Sequence, residues 1–438
     1  ANCYVVSDKI VNGEYQHILH DLVVTVKGNG EEGLVADGHP FKDSNPNLEP
    51  DEVKVIWETA TGLINIRTEN GKAFINENGI IQYSVDLSKQ NQDILKDDKN
   101  QLGGNALIGA FKDGEVIWTW HIWVCPDFDN SNDLDGEITT EELEEHTQTW
   151  ATNGTTDGYD FLDRYLGALS NKPGLASLGL LYQWGRKDPF IGAASISENQ
   201  SQNRMYTDNL SGYEWNNSAS NISITESIKK PTTLINGTIA DDDDYKFLWG
   251  TDKGFSDIRD AGNKTIYDPC PIGYRVPPVS AIVFKNGSTT SEETNYKYNN
   301  IYWPNTSTYI SPQDAESYGF WVNYRNSTIR PKLDEYKDDK NPTSIDGATW
   351  LPLAGVYDGD INKFALVDGN NSLTVNSIIW TNSSVTVDEN GTIRPGALFL
   401  HGTEPDSKIN GRHLHRLIEN ENNLYAKKTH AGSVRCIR

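Results

Sequence analysis

Three consecutive stretches decide how this chain is read. They are Ala106-Leu107-Ile108-Gly109-Ala110-Phe111, the turn Lys112-Asp113-Gly114, and Glu115-Val116-Ile117-Trp118-Thr119-Trp120-His121-Ile122-Trp123-Val124. Asp-Gly between two apolar runs predicts a hairpin, because glycine accepts the positive φ that a tight turn demands. The second run carries bulk on both faces, with Trp118, Trp120 and Ile122 on one and His121 and Trp123 on the other. A strand without a polar face belongs inside a sheet that is covered on both sides. Working outward, Asp21–Val26, Val53–Trp57, Gly62–Arg67 and Ile80–Val85 also alternate or cluster as strands do. Residues 1–126 therefore read as an antiparallel β-sandwich.

Residues 127–158 read as an acidic connector. Thr139-Thr140-Glu141-Glu142-Leu143 predicts a short helix, with Thr139 and Glu142 as a capping box. Just upstream, the spacing of Ser131, Asp133, Asp135, Glu137 and Glu142 around the turn-making Gly136 follows a calcium loop. Ser131 stands where such loops carry Asp, and the entering element reads as a strand instead of a helix. A solvated acidic loop leading into a capped helix is the competing reading. The solvated loop is the preferred reading, so no cofactor is expected, with calcium as the alternative.

The composition narrows the function classes. The chain has 438 residues, with 38 Lys+Arg against 62 Asp+Glu and a formal net charge of -24. That charge repels phosphate backbones and anionic bilayers, so no nucleic-acid partner is expected. No apolar run approaches the ~20 residues of a membrane helix, so no direct membrane insertion of this segment is expected. The start at Ala1 instead of Met suggests a processed or trimmed product. The 12 Trp, 20 Tyr and 12 Phe, together with many turn formers, suit a loop-rich extracellular β protein. Cys3, Cys125, Cys270 and Cys436 form no C-x-x-C, which argues against zinc ribbons and thioredoxin-like sites. Far-spaced cysteines in even number favour disulfides, and spacing leaves all three pairings open.

Other motifs carry less. Gly28-Asn29-Gly30-Glu31-Glu32-Gly33 matches a dinucleotide fingerprint, but turn residues follow it and its two glutamates would repel phosphate, so it reads as a turn. His413-Leu414-His415, with His401 as a conceivable third ligand, has a metal-like spacing. Nine histidines produce such pairs by chance, and the structural reading is preferred. The nucleophile elbow, the H-E-x-x-H motif and the P-loop are absent from the sequence.

Six segments beyond residue 158 stand in a familiar order. They are Phe161-Leu162-Asp163-Arg164-Tyr165-Leu166-Gly167-Ala168, Tyr182-Gln183-Trp184-Gly185-Arg186-Lys187-Asp188-Pro189-Phe190, Asp268-Pro269-Cys270-Pro271-Ile272-Gly273-Tyr274-Arg275-Val276-Pro277, Trp350-Leu351-Pro352-Leu353-Ala354-Gly355, Ile379-Trp380-Thr381-Asn382-Ser383-Ser384 and Ser433-Val434-Arg435-Cys436-Ile437-Arg438. Residues 159–438 thereby resemble the Fibrobacter succinogenes major paralogous domain of Bacteroidetes surface proteins. Ala1–Ser7 and the Trp-rich hairpin resemble the segment that precedes this module in fimbrillin-like adhesins.

The resemblance implies an α+β chain: the antiparallel sandwich, then a loop-rich C-type-lectin-like domain with formylglycine-generating-enzyme-like topology. It implies a Cys270–Cys436 disulfide, which leaves Cys3 and Cys125 as a second pair or as two buried thiols. It also implies a cell-surface adhesion protein, outer-membrane-attached or carried on a pilus, with the pilus tip as one setting. Its partners would be a host or bacterial surface glycan or glycoprotein, together with other pilus subunits. The ligand-binding candidates are Tyr302, Trp303, Tyr309, Trp321, Tyr324 and Arg325, because flat rings and guanidinium forks suit sugars. Core filling by Trp303 and Trp321 is the bland alternative. No catalytic residue is expected; a secreted or surface glycan-active enzyme and a purely structural pilin are the rival readings.

Overall fold

The computed structural model describes residues 2–28, 46–89, 102–129, 136, 138–151, 158–172, 175–191, 216–218, 224–235, 248–250, 264–278, 281, 301–302, 319–323, 348–352, 354–358, 363–365, 375–386, 393–402, 413–416 and 429–438. Strands dominate it. The described α-helices are Thr140–Glu145 and Ile224–Lys229, each of six residues. The chain is β-rich.

The Trp-rich hairpin forms as its sequence dictates. Gly104–Lys112 pairs antiparallel with Glu115–Val124, and Asp113 and Gly114 close the turn with φ of 51° and 82°. Glu52–Glu58 pairs on the far side of Gly104–Lys112. Cys3–Val6 lies parallel to Glu115–Val124 and completes a four-stranded sheet in which the hairpin strands are central. Trp118, Trp120, Ile122 and Trp123 are all fully buried, so both faces of this strand are covered. Trp120 Nε1 donates to the Gly28 carbonyl, whereas Trp123 Nε1 donates to that of Ala168. Trp120 is thereby tied to the first region and Trp123 to the second, while Trp118 packs against Lys187 and Tyr267 of the second region. A three-stranded sheet of His20–Val23, Ile80–Val85 and Ile64–Ile66 completes the main strand pairing of the first region. Ile80–Val85 buries every second residue.

In the second region Leu180–Gln183, Ala431–Ser433, Val375–Thr386, Ile393–Gly402 and His413–Arg416 follow one another in one sheet. Trp184 and Trp380 fill it, with their indole nitrogens donating to the carbonyls of Thr381 and Tyr182. A single apolar cluster runs from Cys3 to Ile437 across both regions.

Cys270 and Cys436 are joined, with Cα atoms 5.9 Å apart and a sequence separation of 166. The second pair suggested for Cys3 and Cys125 does not form: both are free, buried thiols. Strand register explains the correction. Cys3 sits opposite His121, and Cys125 lies four positions further along the same strand direction. At roughly 3.3 Å per residue that is about 13 Å, beyond the reach of a disulfide.

Candidate functional site

Of the six ligand-binding candidates, Trp303, Tyr309, Tyr324 and Arg325 lie outside the described residues. The other two fall on a three-stranded sheet of Ile301–Tyr302, Gly319–Asn323 and Ala348–Pro352. Its antiparallel register sets Tyr302 opposite Trp321 and Trp321 opposite Trp350. Three aromatic residues thus occupy one cross-strand row. Trp350 ends the row: it is 3% exposed, and its indole nitrogen donates to Ser177 Oγ at 3.2 Å.

Of the calcium-loop candidates, Ser131, Asp133, Asp135 and Glu137 lie outside the described residues. Gly136 is described, at φ 73°, and a Cβ there would meet Ile18 and His20. Glu142 is engaged in the predicted capping box. Its carboxylate accepts from Thr139 N at 2.8 Å and Thr139 Oγ1 at 2.9 Å, while Thr139 Oγ1 accepts from Glu142 N. Among the described residues no group of three or more His, Cys, Asp or Glu is placed to hold a metal ion. The strand register sets His401 opposite His413 and Phe399 opposite His415; these side chains are outside the described ones.

Several polar residues of the ordered segments are buried, and two of them, Arg164 and Lys187, reach across to Asp127 and Thr119. Arg164 is buried and reaches Asp163 Oδ1 at 2.6 Å, Asp127 Oδ2 at 2.8 Å and the Leu169 carbonyl at 3.3 Å, with its guanidinium 4.3 Å above the Phe128 ring. Asp163 also accepts from Asn171 and meets His146. Burial opposes ionisation of Asp163, but the Arg164 charge with the His146 and Arg164 hydrogen bonds outweighs it and holds the carboxyl well below its usual range. Lys187 is locked between Thr119 of the Trp-rich strand and Asp188, 4.6 Å from the Trp118 ring centroid. Burial lowers its pKa against the pull of Asp188. Arg186 gathers the carbonyls of Thr233, Ser227 and Lys230, and Arg435 those of Leu162 and Trp350. Burial pushes Arg435 down to about 10.

These groups tie irregular segments together, because a buried charge that satisfies several carbonyls fixes the loops that carry them. The free thiols are chemically quiet. Burial drives Cys3 above its ordinary range and Cys125 up to about 12, although Arg164 lies 3.5 Å from the Cys125 sulfur. A neutral buried thiol is a poor nucleophile.

The histidine of the Trp-rich strand is buried with a fixed partner. His121 Nε2 lies 2.9 Å from Asn105 Oδ1, and Asn105 Nδ2 donates to the Gly167 carbonyl at 2.9 Å. The amide orientation makes Nε2 the protonated nitrogen. Nδ1 has no hydrogen-bond partner among the described residues, and burial pushes the imidazole down to about 3.

No family model matches the chain, and neither a curated protein nor a solved structure matches it.

Proposed function

We propose that this chain is a bacterial cell-surface adhesion protein of the fimbrillin-like kind, suited to a pilus tip. In this reading a β-sandwich is followed by a C-type-lectin-like module, and the module recognises a host or neighbouring-cell glycan or glycoprotein without covalent chemistry. The observation that carries the reading is the cross-strand row Tyr302–Trp321–Trp350, anchored by the buried Trp350. Aromatic residues give large contact area at low entropic cost, which suits the apolar faces of sugars. Support also comes from the way Arg164, Arg186, Lys187 and Arg435 serve as internal ties. A framework braced in this manner holds a recognition face in one geometry, and pre-organisation of that kind raises affinity.

A glycan array with the full chain and its Trp303→Ala and Trp321→Ala variants tests the proposal. Hits that disappear in both variants support it. Hits that persist unchanged in both would move the site elsewhere, and an array without hits counts against glycan recognition.

A further inference from the structure

Lys264 belongs to no motif, yet its ammonium is the most heavily engaged group near the disulfide. Nζ donates to Asp268 Oδ1 at 3.1 Å and to the carbonyls of Cys270 at 2.5 Å, Pro271 at 3.2 Å and Tyr274 at 2.7 Å. Three N–H bonds serve four oxygens, so one is shared. The site is enclosed, with the lysine side chain 13% exposed and that of Asp268 fully buried. Asp268 completes the turn by accepting from Cys270 N at 2.8 Å and Val276 N at 2.9 Å. A carboxylate and three carbonyls around one positive centre is a donor set that suits a hard cation, and here the chain supplies the cation itself.

The turn so formed is gripped from two sides. On one side the Asn2 amide donates to the carbonyls of Ile266 and Asp268, and Cys3 bridges Pro271 in parallel. The Asn2 carbonyl oxygen of the side chain accepts from Trp118 Nε1 at 3.1 Å, which extends the grip to the Trp-rich strand. On the other side Arg275 and Ile437 exchange backbone bonds of 2.7 and 2.8 Å, and the disulfide joins Cys270 to Cys436.

We propose that Lys264 is a built-in cation that sets a clasp over residues 264–276, and that this clasp couples the first strand of the chain to its carboxy-terminal residues Cys436 and Ile437. Local opening of residues 1–8 then depends on the clasp, because native structures open in cooperative local units and these residues share one with the turn. Removing the charge frees the turn, and the Asn2 anchor on its carbonyls is lost with it.

Hydrogen exchange of the oxidised full chain, read by mass spectrometry, tests this. Lys264→Met keeps the length of the side chain and removes the charge. The expected result is exchange at least about tenfold faster in peptides covering residues 1–8 and 264–278, with Glu52–Glu58 and Gly104–Lys112 unchanged, tenfold being the loss of one ordinary hydrogen bond to a charged group. Asn2→Ala should accelerate residues 1–8 and leave 264–278 at the wild-type rate. The proposal is overturned if Lys264→Met loosens 264–278 but not 1–8, or if it accelerates all four peptides alike. If that variant does not fold, Asn2→Ala decides alone: an unchanged rate in residues 1–8 refutes the coupling.

Discussion

Lowering the pH from 7 to 5 should weaken this fold through one residue, His121. The imidazole is 2% exposed, donates through Nε2 to Asn105, and carries an Nδ1 with no described partner. Protonation would bury an unsatisfied N–H and a charge, and the group is accordingly pushed down to about 3 from an ordinary 6.5. In the unfolded chain it takes up a proton below about 6.5; in the folded chain it stays neutral until about 3. The unfolded state therefore binds more protons in this window, so stability is fully present above pH 6.5 and declines as the pH falls towards 3. The slope approaches 1.36 kcal/mol per pH unit, which gives a loss of about 2 kcal/mol by pH 5 from this residue alone. Other titrating groups add their own terms, so the measurement is a comparison. Urea unfolding of the wild type and of His121→Gln, which keeps a donor towards Asn105 and cannot titrate, is recorded at pH 7 and pH 5. The wild type should lose about 2 kcal/mol more than the variant over that interval. Parallel losses in the two proteins would refute the reasoning, since they would mean that His121 protonates in the folded state as freely as in the unfolded one.

Two further outcomes follow from the cysteines. Replacing Cys436 by Ser opens a loop whose ends are 166 residues apart; the loop-closure model puts the loss at about 5 kcal/mol, and the urea midpoint should fall accordingly. A midpoint unchanged by the substitution would show that the bond does not constrain the chain. Cys3 and Cys125 should resist a thiol reagent in the native protein at pH 8 and react as two equivalents in denaturant, because burial keeps both protonated. Rapid labelling of either one without unfolding would contradict their buried positions.

Local chemistry was legible in the sequence wherever its determinants lie close together. The Asp113-Gly114 turn and the strands on either side form as read, because the positive φ and the apolar runs are adjacent. The Thr139–Glu142 capping box forms for the same reason. The run Asp21–Val26 is shorter than its pattern suggests: the strand is His20–Val23, and Val26 makes an isolated bridge to Asn47. Hydrophobic alternation does not record where the partner strand ends, and here Val24 N turns to the Gly79 carbonyl. Non-local facts were less accessible. The Cys270–Cys436 pairing came only through resemblance, and the parallel register that separates Cys3 from Cys125 leaves no trace in spacing. Lys264 and Asn105 are isolated polar residues whose roles depend on carbonyls elsewhere in the chain, so no pattern announces them. Residue type alone marks the aromatic candidates; the cross-strand row of Tyr302, Trp321 and Trp350 is a product of register, which composition cannot supply.

The proposed function is recognition without chemistry, through the row that includes Tyr302 and Trp321. Its most direct test is a calorimetric titration of the strongest array glycan into the full chain, with the glycan weighed by mass spectrometry afterwards. The expected result is saturable binding that is lost in the Tyr302→Ala, Trp321→Ala double variant, and a glycan recovered at its starting mass. Binding of equal strength in the double variant, or a glycan returned cleaved or modified, would contradict it.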